Sequence, residues 1–421
     1  MTKGVLPGFR DFYPHEFAER AYILRAWRDV ARRFAFVEYD GPPLEPLELY
    51  TKKSGEEIVG QLYNFIDKGG REVSLRPEMT PTFARMVAAK ANALRKPVRW
   101  FTVPQLFRYE RQQKGRLREH FQLNVDIVGE PDVTADAELL AVAIEIVRVL
   151  GLTQNDVRAR VSDRRLLRAL LDTLGVSDEQ APGVFAVIDK IDRQPMDVSR
   201  EKLAGLGLGD GAVDRVVGLT GRISLDGLRA EYGTGGVLGE RMAELDRYFG
   251  YLDALGVGEW VDLDLKIVRG LAYYTGIVFE LFDAHGEFRA VCGGGRYDTL
   301  LQSLGGVDLP ALGFGMGDVV LGELLRARGL MRAEQATPDY WVAYAEPRQL
   351  GRAMQVAQAL RRGGASVEYA LRAQQLGRQF KAAAAAGAPQ AVIVRDDGSL
   401  LLKSLASGEE RTVTLQDGRL L

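Results

Sequence analysis

Apolar residues recur at helical spacing in EFAERAYILRAWRDVARRFAF (Glu16 to Phe36), PTFARMVAAKANAL (Pro81 to Leu94) and DAELLAVAIEIVRVL (Asp136 to Leu150). Between the last two, VRWFTVPQLFRYE and EHFQLNVDIVGE have strand character and are joined by a basic loop. That order predicts an antiparallel hairpin flanked by helices. From about Ser162 to Arg247 the pattern changes to short helices separated by Gly, Asp and Pro, which predicts an inserted helical lobe. Strand character returns in LDLKIVRGLAYYTGIVFELF (Leu263 to Phe282) and FRAVCGGGRYD, followed by GFGMGDVV (Gly313 to Val320) and an apolar run.

The polar stretch RAEQATPD (Arg332 to Asp339) reads as a linker. Beyond it strand and helix patterns alternate, from WVAYA through QAVIVRD to two polar-ended strands, as in a small α/β domain. The predicted architecture is therefore α+β. An antiparallel sheet flanked by helices occupies residues 1–330, with the helical insertion at about 162–247, and an α/β domain occupies residues 338–421.

A chain of 421 residues is long enough for two or three domains, and its 46% hydrophobic and 27% charged residues are ordinary for a protein with a large core. The single cysteine, Cys292, rules out an internal disulfide and a Cys-cluster zinc site, and fits a reducing, cytoplasmic setting. The first residues lack an apolar signal region, and no apolar run approaches membrane-spanning length, so neither export nor membrane insertion is expected. With 55 basic and 57 acidic residues, any polyanion must be met by a local basic site. Three histidines (His15, His120, His285) are too few and scattered to favour a His-based metal site or a catalytic triad.

The alternation in HFQLNVDIV changes the picture most. Phe121, Leu123, Val125 and Ile127 fall on one face, and Gln122, Asn124 and Asp126 on the other. A wetted sheet face and a ligand site both fit that strand alone. However, Arg108 lies inside the preceding strand run, where a buried cation calls for an anion. Five of the eleven residues from Arg108 to Arg118 are basic, which suits either a solvated loop tip or an anion site. Arg76 and Glu78 precede a helix for which Thr80 is the expected cap and Pro81 the first turn. Arg269, Tyr273 and Tyr274 interrupt another apolar run. Buried Arg, Glu and Gln on several strands of one sheet describe a site for a zwitterion with a phosphate beside it. GFGMGDVV alternates glycines as a phosphate cradle does, yet ends in Val319 and Val320 with no Lys, Ser or Arg to meet a phosphate.

Taken together, LPGFRDFYP, LRPEMT, FRYERQQKGRLREHFQLNVDIVGE, RGLAYYTGIVFE and CGGGRYD, in that order, resemble the class II aminoacyl-tRNA synthetases and specifically the histidyl-tRNA synthetase family. The resemblance covers nearly the whole chain. It implies a ligase that activates L-histidine with ATP, with Mg²⁺ held mainly by the nucleotide, and transfers it to tRNA(His). Glu78, Met79 and Thr80, with Gln122, would meet the histidine amino group side. Asp126, standing where the family usually has Glu, and Tyr274 would receive the imidazole, with Tyr273 lining the pocket. Arg108 would hold the α-phosphate and substrate carboxylate, Glu110 and Arg116 the adenine and outer phosphates, and Arg269 would neutralise the α-phosphate during attack. Arg111 and Gln113 would approach the 5′ guanosine of the tRNA. The resemblance also implies a homodimer, with its interface in the region Glu16 to Pro46.

Two departures stand out: Ala272 replaces a usual Asp, and Val320 stands where the third class II motif has the arginine that grips the γ-phosphate. They leave open a catalytically silent paralogue, like the regulatory subunit of ATP phosphoribosyltransferase. The tail, which resembles an anticodon-binding domain, and the retained Glu78 and Arg269 favour the synthetase. RGLAYYTG and CGGGRYD weaken a class II enzyme for another amino acid.

Overall fold

The structure is a computed structural model that describes residues 4–51, 60–109, 115–221, 223–268, 273–334 and 336–421. The N-terminal helix, Pro14–Arg33, starts on a proline at its first turn and buries Ile23, Ala26, Trp27, Val30 and Ala31, the spacing of one helical stripe. It stops short of the expected Phe36 because Ala35 adopts a left-handed backbone (φ 59°) and the Phe36 N–H returns to the Ala31 carbonyl at 3.0 Å. Helix Thr80–Lys90 begins differently from expectation. Met79 occupies the cap position without a side-chain cap bond, and Thr80 is the first helical residue, with Pro81 next.

The described strands of the first unit include a nine-stranded sheet. Its order runs Val37–Glu38, Val98–Thr102, Glu119–Val128, Ala311–Gly317, Cys292–Arg296, Ile277–Asp283, Val157–Asp163 and Val261–Leu263, with Gln105–Phe107 also paired to Glu119–Val128. Pairing is antiparallel except at the two outermost strands, which run parallel to their neighbours. The first arm of the expected hairpin is split. Val98–Thr102 and Gln105–Phe107 keep one register on Glu119–Val128, but Pro104 has no N–H to return to the ladder and only accepts from Gln122 N, at 3.1 Å.

Helix Thr134–Val149 is buried along most of its length because the sheet covers one side and helices Pro14–Arg33 and Gly236–Ala254 the other. The helical insertion starts after Asp163, whose side chain caps Arg165 N, and continues to Ala254 rather than Arg247. Its apolar side chains, among them Leu170, Val184, Leu245 and Leu252, join the same core as the sheet. Among the described residues, the expected strand from Leu263 to Phe282 is present at its ends, Val261–Leu263 and Ile277–Asp283. Asp264 breaks it: its carboxylate accepts from Lys266 N at 3.0 Å and its carbonyl from Ile267 N at 3.1 Å, closing a turn.

The chain divides after Ala333. The second unit, Glu334–Leu421, has a five-stranded mixed sheet in the order Val367–Tyr369, Tyr340–Tyr344, Gln390–Val394, Leu400–Ser404, Glu410–Val413. Helices Leu350–Arg362 and Leu376–Ala385 pack on it around a separate core.

Candidate functional site

The alternation of Glu119–Val128 creates the site. Leu123, Val125 and Ile127 enter the core, while His120, Gln122, Asn124 and Asp126 line a cavity of about 420 Å³ on the other face. The neighbouring strand Ala311–Gly317 presents glycines to that face. Gly313 is paired with Asp126, and a Cβ there would stand 2.1 Å from Asp126 Oδ1. A Cβ on Gly315 would stand 1.7 Å from Gln122 Nε2. The glycines of GFGMG therefore clear space for two polar side chains, which is a different use from a phosphate loop.

The helix that follows, Asp318–Ala327, does not offer a bare N-terminus to an anion. Asp318 Oδ1 accepts from Phe121 N at 2.9 Å, and Oδ2 accepts from Arg10 Nη1 at 2.9 Å. Arg10 Nε also donates to Glu119 Oε1 at 2.6 Å, and Gln105 Nε2 donates to Glu119 Oε2 at 2.9 Å. This buried network fastens the N-terminal LPGFRDF segment to the strand and helix that carry the cavity floor.

At one end of the cavity Asp126, 5% exposed, accepts a hydrogen bond from the Tyr297 hydroxyl. Burial pushes its carboxyl up to about 7, partly offset by that hydrogen bond. Tyr273 and Tyr274 wall this end, their rings 5.0 Å apart, and Tyr273 meets Tyr297 edge-on at 5.9 Å. Both lie outside the strands, after the turn at Asp264. Glu78 and Thr80 line the cavity from the start of their helix.

The opposite end is basic. Arg108 and Arg116 line the main cavity and an adjoining one of about 130 Å³, and Arg108 Nε donates to Pro77 O at 2.8 Å. Val319 and Val320 wall the smaller cavity, so the place of the missing arginine is an apolar surface beside two guanidinium groups. His120 lines both cavities. Its pKa is pushed down to about 3 by burial and then by Arg108, and its Nε2 stands 3.3 Å from Gln122 Oε1.

Of the residues expected from sequence, Glu78, Thr80, Arg108, Arg116, Gln122, Asp126, Tyr273 and Tyr274 share this cavity. Met79 does not line it: it is 1% exposed, with its sulfur 3.9 Å from Arg76 Nη1. Arg76 is a buried strut, donating to Gln105 O, Asp40 Oδ1 and Gly41 O. Glu110, Arg111, Gln113, Arg269 and Ala272 lie outside the described residues. Tyr297, two residues beyond the glycine run, and His120, on the period-two face of Gln122, also line the cavity, and nothing in the sequence alone sets either apart. Among the described residues no group of three or more His, Cys, Asp or Glu side chains converges as a metal site. No described helix is long and apolar enough to cross a membrane.

An acidic, tyrosine-walled end and an arginine end suit a basic or aromatic amino acid whose carboxylate faces a polyphosphate. The sequence profile described as Histidyl-tRNA synthetase matches residues 8–317, and that of an anticodon binding domain matches residues 341–418. A protein of Opitutus terrae named histidine--tRNA ligase is 46% identical over 396 residues, covering 93% of this chain and 90% of its own. The Arabidopsis thaliana protein named histidine--tRNA ligase, chloroplastic/mitochondrial, is 41% identical, covering 97% and 85% respectively. The fold is similar to a crystal structure of histidyl-tRNA synthetase from Nostoc, with a TM-score of 0.83 at 24% identity, covering 98% of this chain and 97% of that one.

Proposed function

The chain belongs to the histidyl-tRNA synthetase family, and on that premise we propose that it is a histidine–tRNA ligase. It activates L-histidine with ATP to histidyl-adenylate and transfers the histidyl group to the 3′ end of tRNA(His). The observation that carries this reading is the bipolar cavity, with Asp126 and Tyr297 at one end and Arg108 and Arg116 at the other.

In this reading the imidazole lies against Asp126 and Tyr274, with Tyr273 beside it. Glu78 and Thr80 take the amino group. The substrate carboxylate, already ionised, needs no general base to attack the α-phosphorus. Arg108 aligns it and stabilises charge as pyrophosphate leaves, so catalysis is positioning plus electrostatics. A tRNA terminal hydroxyl then attacks the adenylate carbonyl and AMP departs. Arg269 at the α-phosphate, Glu110 at adenine, and Arg111 and Gln113 near the tRNA 5′ end follow from the family resemblance.

Arg116 lines the small cavity together with Val320, and we assign it the outer phosphates. Mg²⁺ would enter with ATP and supply charge neutralisation at the phosphates. Glu78 and Asp126 are the two acidic side chains among the described cavity residues, too few for a protein cage, so the nucleotide's own oxygens would supply most of its ligands. The exposed apolar side chains Phe17, Val37 and Leu44 support a homodimer interface in the region Glu16 to Pro46. The cytoplasm is the setting we infer.

The test is exchange of labelled pyrophosphate into ATP with each of the twenty amino acids. Exchange dependent on histidine alone is expected. Exchange with none would favour a regulatory paralogue instead.

A further inference from the structure

His120 and Gln122 stand on the same face of one strand and share a hydrogen bond, Nε2 to Oε1, at 3.3 Å. The Gln122 oxygen can only accept, so His120 donates and carries its proton on Nε2. The ring is uncharged, because burial and the Arg108 cation both disfavour protonation. With its carbonyl engaged, Gln122 turns its NH₂ group over Gly315, where any side chain would collide with Nε2. The amide thus meets the cavity through its donors. A donor cannot satisfy the ammonium group of an amino acid, but it matches a carboxylate or phosphoryl oxygen.

We propose that His120 is a positioning residue that holds the Gln122 amide with its N–H donors toward the substrate carboxylate. This rests on the reading of the cavity as a histidine-activation site and changes one assignment within it, because the family resemblance sets Gln122 on the amino-group side. Three features of the fold support it together: the shared face, the clearance at Gly315 and the cation beside His120. Arg108 lines the same stretch of cavity, so Gln122 and Arg108 converge on one anionic group while Glu78 and Thr80 remain for the ammonium.

The test compares two ligands by calorimetric titration of the full chain: L-histidine, and L-histidinol, which keeps the imidazole and amino group but has no carboxylate. His120→Phe removes the donor and keeps a ring. It is expected to weaken histidine binding about fivefold, the effect of one neutral hydrogen bond, while histidinol binding stays within about twofold. Gln122→Ala shows the same selectivity, and adding His120→Phe to it causes no further loss. His120→Gln, which restores a donor, recovers histidine binding. Equal losses on both ligands, no loss on either, or losses that multiply in the double variant overturn the inference while leaving the activation site standing. Failure of the unaltered chain to bind histidine overturns both.

Discussion

The hydroxyl of Tyr297 donates to Oδ1 of Asp126 across 171 residues of sequence, and both side chains are buried. The bond fixes one carboxylate oxygen and leaves the other for a ligand. It also restrains the upward shift that burial imposes on Asp126. Tyr297→Phe is therefore expected to weaken histidine binding about tenfold near pH 7 and to move the pH midpoint of binding upward. Calorimetric titration between pH 6 and 9 measures both, and an unchanged midpoint contradicts this role for Tyr297.

Asp126 also lowers the stability of the fold at neutral pH. Its folded pKa, about 7, exceeds the ordinary 3.8, so the folded state binds a proton that the unfolded state has released. The group's contribution to stability is thus full below about pH 4 and declines as pH rises through 7. Asp126→Asn should match the unaltered chain near pH 4 and exceed it by about 2–4 kcal/mol at pH 8, from roughly three pKa units discounted for relaxation around the site. Urea unfolding at the two pH values measures the difference. Parallel profiles contradict it.

Gly315→Ala separates space for the site from the fold. The added Cβ would stand 1.7 Å from Gln122 Nε2, the far end of a flexible side chain. The side chain can move, so melting temperature should change little, while histidine-dependent pyrophosphate exchange falls about a hundredfold through misplacement of the amide. A loss of thermal stability in step with activity contradicts this division.

Arg10→Ala tests the anchor beneath the cavity. It would leave Glu119 and Asp318, 1% and 5% exposed, without their shared guanidinium, at a cost of about 3 kcal/mol. Denaturant unfolding of the first unit should show it. A change under 0.5 kcal/mol would indicate that the network is solvated and weak.

Much of this site is legible one strand at a time. The alternation of Gln122, Asn124 and Asp126 against Leu123, Val125 and Ile127 gives a polar and an apolar face from sequence alone, and the family resemblance brings Glu78, Arg108 and Arg116 to it. What sequence does not carry is register between distant strands. Gly313 and Gly315 look like a phosphate loop until their pairing with the strand of Asp126 and Gln122 shows what they make room for. Local turns are equally hidden. Asp264 competes with the ladder for the Lys266 and Ile267 N–H groups, Tyr273 and Tyr274 lie outside the described strands, and Thr80 yields the cap position to Met79. Val320 reads as a deficit in sequence, whereas the fold makes it the wall of a small cavity beside Arg108 and Arg116.

One chain joins a cavity suited to histidine activation to a unit resembling an anticodon-binding domain, an arrangement suited to charging tRNA. The most direct test is aminoacylation of a tRNA(His) transcript with labelled histidine by the full chain in the presence of ATP and Mg²⁺. Repeated turnover with histidine esterified at the 3′ end, and no charging of a transcript for another amino acid, is the expected result. Histidine-dependent pyrophosphate exchange with no transfer to tRNA(His) would contradict it.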